Sequence, residues 1–329
     1  MMNLDLSEDI YFQYDYSNLY TIDVDNELFE YTYREDDKYV LFRSIKRPIT
    51  QVAGILVEEE LYDLETHYGY GGPLTNNNDV CFLSRAFLCY KEYCRNNKIV
   101  SEFIRFHPFN SMSSVSNLFD FVEHERDVVI VDLECSSDER RQRYSKTTRN
   151  IVKKAQKTLT VSSSNECTDS FVALYYETMK HNKANDFFYF DDKYFNALSK
   201  IEGVTLVSIE NEQALVSSGF FMCGNDLAHY HLSANNRDFF KDNGNYLLLD
   251  AAFELAKLRG CKRMMLGGGR TSSPEDSLFK FKKKFSPEVM PFYIAGLDFW
   301  PSKRKELNKV WCDQRSTQTP PKLFQLYRS

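Results

Sequence analysis

The sequence predicts an α/β (α+β) protein of two similar halves, each a mixed, twisted sheet flanked by helices, and three observations predict it. The order strand, strand, strand, helix, strand can be read twice along the chain. The helix of the second copy carries one apolar stripe, the mark of a helix laid on a sheet. Between the copies lies a basic amphipathic segment, which marks a joint and divides the chain into 1–138 and 139–329.

In the first half, residues 39–45, 51–57 and 61–68 are rich in β-branched and aromatic side chains, and Lys46-Arg47-Pro48 and Glu58-Glu59-Glu60 punctuate them. A Gly/Pro/Asn loop over 69–79 leads into a helix at 80–95. A further strand, 102–107, stops at Pro108. In the second half, 204–209 turns at Asn211-Glu212 into 215–223, and Gly224-Asn225-Asp226 is a hairpin signal into 227–234. The loop 235–244 opens a helix over 245–259, with Leu248, Leu249, Ala252, Leu255 and Ala256 on one face and Gly260 at C′. Residues 263–266 make the next strand. The tail beyond Pro301 reads as a short helix returning to the first half.

Composition narrows the class. The 329 residues are ample for a packed core, and 21 Tyr with 26 Phe make much of the buried surface aromatic. A net charge of -6 argues against a general nucleic-acid binder, DNA included, so any anionic partner must meet local basic patches. Eight cysteines without a C-x-x-C pair suit reduced thiols in a cytoplasm. The stretch from Met1 to Asp9 is acidic and lacks the apolar core of a signal peptide. No apolar run approaches the roughly 20 residues that cross a bilayer. The expectation is a cytoplasmic protein without an integral membrane segment.

Over 140–157 there are eight basic residues and no acidic one. On a helical wheel Lys146, Arg149, Lys153 and Lys157 fall in one arc. Tyr144, Thr148, Ile151 and Ala155 lie opposite, with Val152 beside them. One face suits the core and the other an anion. A solvated basic face is the alternative, but such faces usually mix signs for i,i+4 support.

Three antiparallel strands, a crossover helix and a parallel strand resemble the core of the GNAT acyltransferase fold. That resemblance implies a cofactor where two parallel strands splay, with its pyrophosphate on backbone N–H groups at the helix start. From pattern alone, any α+β sandwich with hairpins is the alternative.

The densest motif is Leu266-Gly267-Gly268-Gly269-Arg270 followed by Ser273-Pro274-Glu275-Asp276, which reads as an N-cap, a proline at N1 and a carboxylate at N3. On the helix that follows, Leu278, Phe281 and Phe285 form the buried face, and Lys280, Lys283 and Lys284 point away. Lys282 sits at the edge of the apolar face, placed to reach a cleft. The Gly-rich strand end with Leu-Phe-x-Phe-Lys-x-x-Phe resembles the C-terminal signature of the Fem-type aminoacyl transferases and their GNAT relatives. Three more stretches match in order: Tyr68-Gly69-Tyr70-Gly71-Gly72-Pro73-Leu74, Arg149-Asn150-Ile151-x-Lys153-Lys154-Ala155, and Tyr230-His231-Leu232-Ser233-Ala234. The resemblance implies two tandem GNAT-like domains, the first on the acceptor side and the second on the donor side, that attach amino acids or acyl groups to amines of cell-envelope precursors. No long insertion supplies the coiled-coil arm with which some members engage tRNA.

By that resemblance Phe281 and Lys282 sit at the transfer centre, where a fixed ammonium holds a phosphate or the charge of a tetrahedral intermediate. His231, Tyr230 and Asp276 are the candidates for moving a proton; a core histidine is the structural alternative for His231. His229 and His231 share a strand face but have no third ligand, so no metal is expected. The loop 235–245, with Arg237, Lys241, Gly244 and Asn245, occupies the place of the cofactor pyrophosphate, although it has one glycine where two are customary. Tyr68, Gly71, Arg105 and His107, with Arg149 and Lys153, are assigned to the acceptor. There is no nucleophile elbow, P-loop or dinucleotide fingerprint. The reading is an N-acyltransferase using a thioester donor, acyl-CoA, on a phosphate-bearing acceptor such as a nucleotide-activated sugar of polysaccharide or envelope synthesis. The alternatives are a Fem-like transferase drawing on aminoacyl-tRNA, and a non-catalytic binding protein for a nucleotide-linked ligand.

Overall fold

In the computed structural model, which describes residues 5–22, 25–316 and 321–329, two 3-10 turns (Leu6–Glu8 and Ile10–Phe12) precede helix α1 (Tyr14–Asn18). The first four residues of the acidic N-terminal stretch lie outside the described residues. Met1–Leu19 with Arg126–Pro291 forms one compact unit, and Tyr20–Glu125 with Phe292–Ser329 forms another. The units are interleaved along the chain, not divided by one cut after residue 138.

The second of these units begins with β1 (Glu27–Glu35) and β2 (Lys38–Pro48), an antiparallel hairpin turned at Asp36 with φ 53°. β1 was not among the expected strands. Its alternating Phe29, Tyr31 and Tyr33 form the apolar row that packs on the helix of this unit. The expected strand at 51–57 is instead a separate two-strand ribbon, β3 (Gln51–Val52) and β4 (Ile55–Leu56). Ala53 and Gly54, both at positive φ, turn the chain back on itself there. β5 (Tyr62–Glu65) pairs with β2, as does β6 (Leu74–Thr75). α2 (Val80–Asn96) then crosses over to β7 (Ile99–Arg105), which lies parallel to β5.

β8 (Phe121–Asp132) enters the first unit at Arg126. The basic segment expected as one helix is two, α3 (Ser137–Arg143) and α4 (Lys146–Ala155), each started by its own serine cap, Ser136 and Ser145. Tyr144, at the break, turns into the core, and its hydroxyl donates to Asp250 at 2.9 Å. Thr148, Val152 and Ala155 bury the face the wheel assigns to the core. β9 (Thr160–Ser164), α5 (Asp169–Asn182) and α6 (Asp192–Ser199) follow. Next come β10 (Val204–Glu210), β11 (Leu215–Cys223), β12 (Leu227–Asn235), α7 (Gly244–Leu258), β13 (Arg263–Gly267) and α8 (Ser277–Lys282). The strand order in this unit is β8-β13-β12-β11-β10-β9. Only the β12–β13 pair is parallel among these neighbours, because a helix separates the two strands in sequence.

β14 (Val289–Asp298) returns the chain to the second unit, where it pairs antiparallel with β7 from Ile294↔Arg105 to Asp298↔Ser101. This late return is why the units interleave. α9 (Pro301–Arg315) packs Leu307 and Trp311 with Ile49, Val52, Val100 and Tyr327, so the tail lies on residues of the chain's first half. Among the described residues no helix is long and apolar enough to cross a membrane.

Candidate active site

The parallel ladder between β12 and β13 is short. Leu227, Ala228 and His229 pair with Arg263, Met264 and Met265, and the pairing stops there although both strands continue. β12 is also bulged, since Tyr230 faces Phe221 and Leu232 faces Phe220, leaving His231 as the extra residue. The result is a gap between two diverging strands. Tyr230 lines it from β12, its ring stacked on Phe221 at 5.3 Å and its hydroxyl bonded to Ser233. Burial raises the Tyr230 phenol above its ordinary range, Ser233 opposing, so it keeps its proton in neutral water.

α7 begins at the same end of the sheet, because it leaves β12 and delivers the chain to the start of β13. Its first residue must be glycine, since a Cβ on Gly244 would lie 2.6 Å from Val216 Cγ1. The preceding Asn243 is left-handed and makes no side-chain cap, so no side chain of that residue occupies the first amides of α7. α2 is different: the Asp79 carboxylate accepts from the amides of Cys81 and Phe82 and fills that helix start with negative charge. The start of α7 in the first unit is therefore suited to an anion, and the start of α2 in the second is not.

Lys282 reaches into this region from α8. It is 6 % exposed, its ammonium donates to Gly268 O at 2.7 Å, and it sits 5.6 Å from the centre of the Tyr230 ring. Burial pushes the amine down to about 7, with Asp276 opposing and Arg126 assisting. A lysine in that range is shared between ammonium and free amine at neutral pH. Phe281 packs edge-on against Tyr246 at 5.0 Å, which sets α8 beside the first turn of α7.

The glycine run fits these approaches. Gly267 has φ 74°, a Cβ on Gly268 would meet Arg126 Cδ at 2.6 Å, and one on Gly269 would meet Asp276 Oδ1 at 2.5 Å. Asp276, not Ser273, is the N-cap of α8, so the helix starts later than the Ser-Pro-Glu signal suggests. Its carboxylate accepts from the amides of Leu278 and Phe279 at 2.9 and 3.0 Å and from Thr271 at 3.2 Å. Burial alone would raise this carboxyl, but the amides of Phe279, Arg270, Thr271 and Leu278 outweigh it and hold it below the usual range. Asp276 thus cinches the loop to the helix and is a weak base.

The structure brings together Lys282, Tyr230 and Asp276, and Phe281 meets Tyr246 in the first turn of α7, the turn that holds Gly244 and Asn245. His231 faces the other side of β12, where its ring lies between the hydroxyls of Tyr11 at 3.3 Å and Tyr194 at 3.1 Å. His229 shares that face and bonds to Asp9 at 2.6 Å. Arg237 and Lys241 are exposed on the loop before α7, and Arg237 donates to His181 Nδ1 at 2.9 Å. Arg149 donates to the carbonyls of Gln142 and Tyr144, closing the end of α3, while Lys153 is exposed.

In the second unit the expected acceptor residues do cluster. Gly71 bridges to Phe106, and Tyr70 lies edge-on to His107 at 5.7 Å. The Gly71 amide donates to Arg105 O at 2.8 Å and the His107 amide to Gly71 O at 2.9 Å. Tyr68 stands at the base of this loop, half-buried. The Arg105 guanidinium pairs with Glu65 and donates to Thr66 O at 2.8 Å. Burial lowers it to about 10, against Tyr68 and Tyr20. The bridge at Gly71 keeps the β5–β7 side closed where β12 and β13 open. Sequence reading missed Arg126, which donates to Gly269 O at 2.6 Å; it stands in a charged stretch of β8 with no motif around it.

Residues 138–283 match the model of the acetyltransferase (GNAT) domain family. No curated protein sequence matches the chain. Among solved structures, FemX aligns over 90 % of this chain and 91 % of its own, at 13 % identity and TM-score 0.62. L-PGS from Bacillus licheniformis aligns over 82 % and 84 %, at 14 % identity and TM-score 0.52. A tandem GNAT protein from the clavulanic acid biosynthesis pathway aligns over 84 % of each chain, at 8 % identity and TM-score 0.51. At these identities the likeness is one of fold.

Proposed function

We propose, for a chain that carries an acetyltransferase (GNAT) domain over residues 138–283 within a tandem GNAT fold, that it is an N-acyltransferase drawing on a thioester donor, acyl-CoA, and acting on the amine of a nucleotide-activated sugar or related cell-envelope precursor. One observation carries the reading: the gap between β12 and β13 holds a buried lysine, fixed on Gly268 O beside Tyr230, at the end of the sheet where α7 begins.

The donor's thioester lies in the gap and its pyrophosphate over the first turn of α7, where the amides of Gly244 and Asn245 and the charges of Arg237 and Lys241 receive it. The acceptor arrives as a free amine, having lost its proton to solvent. Its nitrogen attacks the thioester carbon, the C–N bond forms, and the carbonyl oxygen takes the negative charge. Lys282 steadies that oxyanion from a fixed position in a poorly hydrated site. The intermediate collapses with cleavage of the C–S bond, and the thiolate leaves with the electron pair. The nitrogen, cationic after attack, sheds its extra proton to solvent, and Tyr230, a phenol at neutral pH, supplies a proton to the sulfur and regains one from solvent. No covalent acyl-enzyme is needed.

The test is release of free thiol from a panel of acyl-CoA donors with uridine-diphosphate amino sugars as acceptors. Turnover should fall by two orders of magnitude or more in Lys282→Met while donor binding persists, roughly the worth of one oxyanion donor. Full activity in Lys282→Met rejects the assignment. A second reading, aminoacyl transfer from charged tRNA, is favoured by Lys146, Lys153 and Lys154, exposed on α4 without a carboxylate partner among the described residues. A tRNA donor would lose affinity steeply with salt, and a small donor only shallowly.

A further inference from the structure

The last two residues of α5, His181 and Asn182, each hold a guanidinium from a different loop. Arg237 lies just past the end of β12, and its Nη1 donates to His181 Nδ1 at 2.9 Å. Arg270 lies just past the end of β13, and its Nη2 donates to Asn182 Oδ1 at 3.1 Å. Thr178, one turn earlier on α5, accepts from the Asn235 amide at 3.2 Å, which pins this turn to the end of β12. The two arginines therefore stand on opposite sides of the gap where β12 and β13 part, anchored to neighbouring residues of a single helical turn.

Their bonding is that of groups held in place with donors to spare. An arginine has five N–H donors, and each of these guanidinium groups uses one on the side chain that anchors it. Both are exposed, and among the described residues neither has a carboxylate partner. Asp238, adjacent to Arg237 in the chain, pairs with neither. An arginine serving only to close α5 would donate to its terminal carbonyls, whereas these donate to side chains. Lys180 and Lys183 flank the same turn and add to the positive field.

We propose that Arg237 and Arg270 form a two-sided clamp for the diphosphate of a substrate entering the gap, with His181 and Asn182 as the positioning residues that hold the pair open. Guanidinium forks match phosphate oxygens, and two forks across a gap suit a diphosphate better than a single phosphate. The clamp rests on the acyl-transfer reading only for what enters the gap. The diphosphate can belong to coenzyme A or to a nucleoside-diphosphate acceptor.

The test is calorimetric titration of the full chain with inorganic pyrophosphate, then with coenzyme A and with uridine diphosphate, at one moderate salt concentration. Arg270→Gln and Arg237→Gln should each weaken pyrophosphate about tenfold, the worth of a charge-assisted hydrogen bond. Arg270→Lys should fall between, because an ammonium cannot fork. Unaltered melting temperatures show that these exposed substitutions leave the fold intact. A matching loss for uridine diphosphate with coenzyme A unaffected makes the acceptor the source of the diphosphate, and the reverse makes it the donor. No pyrophosphate binding by the wild type, or wild-type affinity in both Gln variants, overturns the clamp. Pyrophosphate binding needs no turnover. A protein that binds it through Arg270 yet transfers no acyl group sinks the transfer reading and leaves the clamp. One that turns over with an unchanged acceptor KM and donor KM in Arg270→Gln sinks the clamp and leaves the transfer.

Discussion

Replacing Lys282 by methionine asks whether the fold holds an amine where water cannot solvate its charge. Lys282 is buried, and that burial drives its ammonium from an ordinary 10.5 down to about 7. In the unfolded chain the amine keeps its proton to about pH 10.5. Between the two values the unfolded state binds more protons than the folded one, so stability rises with pH through that window. Below pH 7 the amine is charged in both states and the whole penalty stands. Above 10.5 it is neutral in both and the penalty is gone. The span corresponds to about 5 kcal/mol, at roughly 1.4 kcal/mol per pH unit. Lys282→Met has no group to titrate. Urea titrations across the window should show the variant's stability relative to wild type falling by about 1.4 kcal/mol per pH unit as the wild type recovers. A relative stability that stays flat from pH 7 to pH 10 would refute the reasoning, because it would mean an ammonium titrating at its ordinary value.

Glu102 supplies the opposite slope. Burial pushes its carboxyl from 4.5 up to about 7 against the hydrogen bonds of Ser44 and Tyr90. The folded chain then holds a proton that the unfolded chain releases, so the wild type loses stability as pH rises from 4.5 to 7. Glu102→Gln should abolish that fall of about 3 kcal/mol, read from denaturant midpoints on either side of the window. Asp276→Ala removes the cap of α8 and the tether of the glycine loop, so a cost of about 1–2 kcal/mol is expected. Its turnover should drop and its pH profile should move to lower pH, because the carboxylate that opposes the fall of the Lys282 amine is gone; an undiminished melting temperature would contradict the capping role. Gly268→Ala drives a methyl against Arg126 and moves the carbonyl that receives Lys282. A loss of about 1–3 kcal/mol is expected, with kcat reduced more than donor affinity; an unchanged kcat would show that the Gly268–Lys282 bond is dispensable.

The parts of the fold that were legible are those with local punctuation. Gly224-Asn225-Asp226 turns β11 into β12 as the hairpin signal requires, and the apolar stripe of α7 places it on the sheet. Three of the missed strands lack such signals. β9 is a polar edge strand of Thr, Val and Ser, β8 opens with alternating charges, and β14 contains Pro291 and Gly296, residues that argue against a strand interior. The break between α3 and α4 was hidden because basic residues run through it; its cause, Tyr144 turning inward to Asp250, is a tertiary contact. At the site, the burial of Lys282 was legible from its place at the edge of the apolar face. Its acceptor was not, since Gly268 O comes from a loop whose path depends on Asp276. Strand alternation puts Tyr230 and His231 on opposite faces, and in the structure only Tyr230 accompanies the lysine.

The central claim, that the gap beside α7 receives an acyl-CoA donor, is tested most directly by calorimetric titration of acetyl-coenzyme A into wild type and Asn245→Asp. The new carboxylate suits the positive end of α7, so the fold should keep or gain stability, but it repels a pyrophosphate at the first turn. The account predicts micromolar binding by the wild type and a loss of tenfold or more in Asn245→Asp. No binding by the wild type, or equal affinity in the two proteins, would contradict it.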